Sequence, residues 1–151
     1  GSGRRVVAPA PEVTFLDASV EGSNGSDVVI HRGGATSPPD LNGFEQYYVH
    51  LHQTDNNLVL EGDRTFTLLN PLWDEPHHII YLHRFMGALQ IPIGTFHRSI
   101  SGKDGSIVIN QAIRTEGFDP ESEFQPVSAA QEPRLYEVLL HEKPVVHTLG
   151  D

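Results

Sequence analysis

The stretch YVHLHQTD, residues 48–55, places His50 and His52 at alternate positions of a predicted strand. Because strand side chains alternate between two faces, both imidazoles are expected to point the same way. The stretch PIGTFH, residues 92–97, then adds His97 at the start of another predicted strand, after a turn. Three imidazoles on neighbouring strands form a donor set suited to a divalent transition metal such as Fe, Mn, Ni or Zn.

Short apolar segments with turn residues between them surround these two stretches. Their close spacing predicts an all-β sandwich or barrel, and no helical periodicity interrupts it. The turns are expected at Glu61-Gly62-Asp63 and, as a hairpin loop, at residues 101–105. The predicted strands are residues 47–52, 57–60, 65–69, 79–84, 88–91, 95–99 and 107–113.

Composition excludes several classes of protein. The 151 residues carry a formal net charge of −10, which argues against binding to nucleic acid or to an anionic membrane surface. The sequence contains no cysteine, so thiol catalysis and cysteine-ligated metal sites are excluded. It also has no apolar run of membrane-spanning length and no pattern typical of a signal peptide, which predicts a cytoplasmic protein.

The chain is expected to form one domain with additions at both ends. Residues 1–42 are predicted to be an N-terminal arm with short strands, and residues 43–114 the barrel core. Residues 115–151 are predicted to pack on the barrel as a C-terminal extension with a short helix or strand. Because the isolated strands of the arm lack an obvious partner within one barrel, a homodimer is expected.

The first motif resembles that of the cupin superfamily, G(x)5HxH(x)3–4E(x)6G. His50 and His52 match its histidine pair, and Asp55 stands where the family has Glu, at the family spacing from Gly62. The interval after His52 is two residues rather than three or four, and Gly43 lies one residue away from the leading glycine position.

The second cupin motif, G(x)5PxG(x)2H(x)3N, is matched by Gly87, Pro92, Gly94 and His97, with Ser101 in place of the Asn. The resemblance implies a double-stranded β-helix, or jelly-roll, barrel with a divalent metal in its interior. It further implies His50, His52 and His97 as ligands.

The role of Asp55 is open among three alternatives. Its carboxylate could bind the metal directly, although it is one methylene shorter than Glu. It could instead accept a hydrogen bond from the ring N–H of His52 and orient that ligand. The third alternative is a turn residue with no part in the site, since Asp followed by two Asn is typical of turns.

Three further residues are candidates for proton transfer. Tyr48 has the strand parity of His50 and is expected to project toward the metal, either as a proton donor or as a core aromatic residue. Tyr81 and His83 share one face of a predicted strand with His77. One face of that strand should line the pocket, although each histidine could equally be a core residue with a backbone partner.

The predicted substrate-binding residues are Arg64, Asn110 and Gln111. Asn110 and Gln111 lie on opposite faces of the strand predicted over residues 107–113, where polar side chains among isoleucines indicate a ligand pocket. Arg64 and Arg98 could anchor an anion, with a surface position as the alternative for each.

Two functions from different classes fit these features. The first is a metal-dependent enzyme acting on a small polar molecule, such as a sugar or a carboxylate, by oxygenase, isomerase, epimerase or lyase chemistry. The stretch Phe118-Asp119-Pro120-Glu121 resembles the tail of cupins that modify nucleotide-linked sugars. The metal-free members of that group use a histidine base and a tyrosine acid. The second function is non-catalytic binding of a small ligand.

Overall fold

The structure is a computed structural model that describes residues 5–6 and 12–150; the other parts of the predicted N-terminal arm lie outside the described residues. Strands dominate. They are β1 (Arg5–Val6), β2 (Thr14–Leu16), β3 (Gly25–His31), β4 (Thr36–Ser37), β5 (Gln46–Tyr47), β6 (Gln53–Leu69), β7 (His77–His83), β8 (Ala88–Ile91), β9 (Phe96–Arg114), β10 (Val127–Ser128), β11 (Val145–His147) and β12 (Leu149–Gly150). The helices are α1 (Pro120–Glu123) and α2 (Pro133–His141).

Two long antiparallel strands, β6 and β9, form the centre of the fold. Their register runs from Gln53 opposite Arg114 to Leu69 opposite Phe96. The other edge of β6 pairs with β8 and then β7, while the other edge of β9 pairs with β3 and β4. Strand β2 extends the sheet at β8, and β11 extends it in parallel at β7. The sheet curls, and the all-β barrel predicted from the sequence is confirmed.

The turns predicted at residues 61–63 and 101–105 do not separate two strands. Strands β6 and β9 each continue through these residues. Gly62 and Gly105 adopt positive φ angles of 75° and 86°, and the β6–β9 register shifts beside them. A Cβ atom on Gly62 would collide with the carbonyl oxygen of Gly105, so the strands touch backbone to backbone there. Each strand therefore bends sharply at this corner and continues its pairing beyond it, as β-bulges allow.

The core lies between the inner faces of the curled sheet, with a second cluster under α2. The main helix of the C-terminal extension, α2, starts at Pro133, where the Glu132 side chain caps the Arg134 N–H. Leu135 and Val138 bury the apolar face of α2, each contributing about 1.5–3 kcal/mol of stabilisation. The main core residues are Val59, Phe66, Leu68, Ile80, Leu82, Leu89, Ile91 and Val108. Among the described residues, no helix is long and apolar enough to cross a membrane.

Candidate functional site

His50, Asp55 and His97 meet inside the barrel, in a cavity of about 220 Å³. His50 precedes β6, Asp55 lies on β6, and His97 lies on the paired strand β9. The Nε2 atoms of His50 and His97 lie 3.4 and 3.3 Å from the same Oδ2 atom of Asp55. One donor atom from each of the three residues lies within 4.8 Å of the others, close enough for all three to bind one metal ion.

Both imidazoles are held by backbone carbonyl groups on their far side. The Nδ1–H of His50 donates to the carbonyl oxygen of Glu123 at 2.8 Å, and that of His97 donates to the carbonyl oxygen of Thr95 at 3.0 Å. In the neutral ring the remaining lone pair is then on Nε2, which faces Asp55. This orientation is the one that metal-binding histidines usually have.

The Asp55 carboxylate is held from two sides. Its Oδ1 accepts hydrogen bonds from Gln53 Nε2 at 2.6 Å and from Asn110 Nδ2 at 3.1 Å. Burial raises the pKa of Asp55, but the hydrogen bonds and charges of His50 and His97 outweigh it and hold the pKa well below its usual range. Burial lowers the pKa of His50, yet Asp55 outweighs that effect and raises it overall. Asp55 is therefore ionised at neutral pH, as a metal ligand must be.

His52 does not join this group, so the predicted shared face of His50 and His52 is wrong. Residues 51–52 form a bend and β6 begins only at Gln53, so the alternation of a strand does not apply. The His52 side chain is 41% exposed and donates from Nδ1 to Glu123 Oε1 at 2.8 Å. Asp55 therefore neither orients His52 nor lies in a turn. Of the three alternative roles given for Asp55, metal ligation remains, and it stays a prediction.

Glu123 holds the histidine segment in place, and sequence reasoning missed it. It ends α1 and is only 3% exposed. Besides binding His52, its carboxylate accepts the Leu51 backbone N–H at 2.9 Å, while its carbonyl holds His50. The Phe118-Asp119-Pro120 stretch does carry a helix-start signal, since Asp119 caps α1. No feature of the sequence indicates that Glu123 is buried.

Aromatic rings surround the histidines on the cavity side. The Tyr48 ring centroid lies 6.2 Å from those of both His50 and His97, and its plane is inclined by 18° to that of His50. Phe124, also missed, approaches His50 edge-on at 5.3 Å. Tyr48 thus lies where the sequence predicted it, beside the imidazoles, and its part in proton transfer stays a prediction.

Tyr81 and His83 are not brought to the site. Both are exposed on the outer face of β7, and neither lines the cavity. The inner face of that strand carries Ile80 and Leu82, which are completely buried in the core. The prediction that one face of this strand lines the pocket is therefore wrong, because the inward face packs in the apolar core. Tyr81 and His83 lie on the other face and are not placed for proton transfer at this site.

The predicted substrate-binding residues divide between the cavity and the outside. Arg64 and Asn110 line the cavity, and Asn110 is held against Asp55. Gln111 points away and ties the N-terminal segment to β9: it accepts from the Val20 N–H and donates to the Ala18 carbonyl. The rest of the lining comprises Asp27, Val29, Ser37, Tyr48, Gln53, Asn57, Phe66, Arg98, Ser99 and Phe124.

No protein-family model matches the chain, and no curated protein is detectably similar to it in sequence. Solved structures do match. The WlaRB TDP-quinovose 3,4-ketoisomerase from Campylobacter jejuni has a TM-score of 0.55 at 11% identity, over 76% of this chain and 92% of its own.

Two further structures share the architecture. The sugar 3,4-ketoisomerase QdtA from Thermoanaerobacterium thermosaccharolyticum, in complex with TDP, matches with a TM-score of 0.55 at 14% identity, over 92% of this chain and 96% of its own. A dTDP sugar isomerase from Desulfovibrio desulfuricans G20 matches with a TM-score of 0.50 at 15% identity, over 85% and 88%. Likeness at these identities establishes the fold, and the cupin fold predicted from the sequence is confirmed.

Proposed function

We propose that this protein is an isomerase that moves a carbonyl group between adjacent carbons of a sugar by proton transfer. The observation that carries the proposal is the placement of Tyr48 beside two oriented imidazoles in one cavity of the barrel, most of whose lining residues are polar. The structural neighbours are sugar ketoisomerases or sugar isomerases by name, and one of them binds TDP. Fold likeness alone does not assign an activity, so the side chains of the site bear the argument.

The reaction needs two kinds of proton transfer and no net oxidation. A base removes the C–H proton beside the carbonyl while an acid protonates the carbonyl oxygen, which forms an enediol. A proton then returns to the former carbonyl carbon and the other hydroxyl loses its proton, which leaves the carbonyl one carbon away. We assign the carbon-bound proton to Nε2 of His50, whose ring is oriented by the Glu123 carbonyl, and the oxygen-bound proton to the Tyr48 hydroxyl. Asp55 stabilises the imidazolium that forms when His50 takes the proton.

The same site fits a divalent transition metal, so we also propose a metal-dependent form of this isomerase. His50, Asp55 and His97 offer two nitrogen donors and one oxygen donor, each held by a hydrogen bond on its far side. Such a set suits Fe, Mn, Ni or Zn. When bound there, the metal would polarise the carbonyl oxygen and stabilise the negative charge of the enediolate.

The proposal is tested by following three kinds of keto sugar in D2O by NMR: a TDP-linked 4-keto sugar, a neutral keto monosaccharide and an acidic keto monosaccharide. We expect carbonyl migration with deuterium incorporation at the former carbonyl carbon of the product. Tyr48→Phe should lower the rate by about 10²–10⁴-fold, because it removes the proton donor and keeps the ring. Tyr81→Phe, on the outer face of β7, is the matched control and should leave the rate unchanged. Saturable sugar binding without exchange or migration would favour the non-catalytic alternative.

We also propose that the protein is a homodimer in solution. Strand β3 pairs only with β9 within the described chain, and its Val28 and Ile30 side chains are more than half exposed. Edge strands of this kind are ready partners for a second chain. A sedimentation mass near the monomer value of 16.7 kDa at micromolar protein would contradict the dimer. The cytoplasmic location stays a prediction.

A further inference from the structure

Arg64 is a cation inside the barrel. It lies on β6, is 4% exposed and lines the same cavity as the histidines. Its Nε and Nη2 atoms donate to the Ser106 hydroxyl oxygen at 3.0 and 2.8 Å. No carboxylate of the described residues forms an ion pair with it. Burial is accordingly the cause that lowers its pKa, to about 10, and it remains charged at neutral pH.

Arg98, the other arginine that lines the cavity, is neutralised within the protein, since it pairs with Asp40 and Glu45 at 3.2 and 3.0 Å. The cavity-lining carboxylate of Asp27 is in turn paired with Arg114, at 3.1 Å. The fully buried carboxylate of the cavity, Asp55, faces two imidazoles instead of Arg64. Arg64 is thus the arginine of this cavity that lacks a counter-charge in the part of the chain the structure describes.

Neutral groups hold Arg64 in place. Ser106 shares a hydrogen bond of 2.6 Å with Ser101, and Ser101 shares one of 2.8 Å with His31. This chain fixes the guanidinium without cancelling its charge, and the Nη1 group makes no hydrogen bond with any described residue. Burying an unpaired cation is costly, so the arrangement indicates an anionic partner that arrives from outside.

The size of the cavity limits that partner. Its volume of about 220 Å³ is below the range of about 300–1,000 Å³ that drug-sized ligands occupy, so it suits a monosaccharide better than a nucleotide-linked one. On β6, Arg64 lies four residues from Leu68, which is paired with His97. At about 3.3 Å per residue, the backbone positions of Arg64 and His97 are separated by about 13 Å along the strands.

We propose that Arg64 binds an anionic group carried by the sugar itself, a carboxylate or a phosphate, so that the substrate is an acidic monosaccharide. That the ligand is a sugar rests on the proposed function. That it carries an acidic group rests on the unpaired guanidinium of Arg64. The anion lies at one part of the cavity and the reacting carbons lie at His50 and Tyr48. The charge of Arg64 thereby selects acidic over neutral sugars and fixes the direction in which the sugar enters.

The test is calorimetric titration with four probes: glucuronate, glucose 6-phosphate, glucose and TDP. The parent protein should bind at least one acidic sugar about 10-fold or more tightly than glucose, since hydrogen bonds to charged groups contribute about 1.5–3 kcal/mol. Arg64→Gln should abolish that preference, measured as the ratio of acidic-sugar to glucose affinity, and Arg64→Lys should keep part of it. Arg84→Gln removes an exposed arginine outside the cavity and is the matched control.

Several outcomes would overturn the inference. Equal binding of acidic and neutral sugars by the parent protein would do so even if Arg64→Gln failed to fold. An unchanged preference in folded Arg64→Gln would also do so. TDP binding that exceeds that of both acidic sugars and depends on Arg64 would assign the anion to a nucleotide instead. Failure of the isomerase assay with an intact acidic-sugar preference would reject the proposed reaction and leave the role of Arg64 standing.

Discussion

At the scale of single residues, one oxygen atom of Asp55 organises the candidate centre, because the Nε2 atoms of His50 and His97 both face it. His52 has the same chemistry but a different surrounding, since its ring is turned to Glu123 and partly exposed. The three histidines should therefore differ sharply in their effect on metal affinity.

We expect His50→Ala and His97→Ala to abolish high-affinity Zn(II) binding, and His52→Ala to retain it. Asp55→Asn should weaken binding by at least about 10–100-fold, the loss typical of removing a group that only orients a ligand. Competitive titration against a chelator measures all four variants, with elemental analysis of protein purified without a His tag. Equal zinc affinity in His97→Ala and the parent protein would remove the metal from the proposal.

The sequence predicted three members of this centre and misplaced the fourth. His50, Asp55 and His97 come together as the spacing of the two motifs indicated, and Tyr48 lies beside them. His52 was misplaced because strand alternation was applied to a segment that bends before β6 starts. The bend depends on hydrogen bonds from a residue far along the chain, and local patterns do not carry that information.

At the scale of elements, the short helix α1 positions the histidine segment through one side chain. Glu123 accepts the Leu51 N–H and the His52 ring N–H, and its carbonyl accepts from His50. Its loss would leave the partly buried Leu51 N–H and the His52 ring N–H without their acceptor, and an unsatisfied donor costs up to about 1–3 kcal/mol. The helix therefore contributes to both stability and the geometry of the site.

We predict that Glu123→Ala lowers the free energy of unfolding by about 1–3 kcal/mol, measured by urea denaturation. Glu121→Ala, on the exposed first turn of the same helix, is the control and should change it by less than about 0.5 kcal/mol. If both variants unfolded at the same urea concentration, the Glu123 contacts would carry no net stabilisation.

The strands themselves were largely predictable, and their junctions were not. Alternation and turn residues located the segments that became β7, β8 and the two halves of β6 and β9. Gly62 and Gly105 indicated a change of direction, but a glycine alone does not distinguish a hairpin from a sharp bend within a paired strand. Pairing with the partner strand decides between them, and it is a property of the tertiary fold.

At the scale of the whole molecule, two buried histidines make stability depend on pH. His147 on β11 is completely buried, and its Nε2 lies 3.0 Å from His78 Nδ1 on the neighbouring strand β7. Burial, and then the charge of His78, lower the pKa of His147 to about 4. The folded state therefore resists a proton that the unfolded chain binds near its ordinary pKa of about 6.5.

We predict that stability falls as the pH drops from about 6.5 toward 4, by on the order of 2–3 kcal/mol from His147. His50 acts in the opposite sense: its raised pKa adds stability below about pH 6.5 that is lost as the pH rises through its folded-state value. Urea denaturation of the parent protein and of His147→Gln across this pH range separates the contribution of His147 from that of His50. The exposed His141→Gln is the control. An identical pH dependence in parent and His147→Gln would contradict the assignment.

The pairing of β6 with β9 also has a kinetic consequence. Gln53 and Arg114, which meet at one end of this pair, are 61 residues apart in the sequence. The chain between these two residues must close into a loop before the contacts between β6 and β9 can form. The conformational entropy of the chain is therefore lost before those contacts stabilise the fold. Chains whose contacts are this distant in sequence reach the native state in milliseconds to seconds rather than microseconds. The cavity therefore comes into being late, only when the two ends of the barrel sequence have found each other.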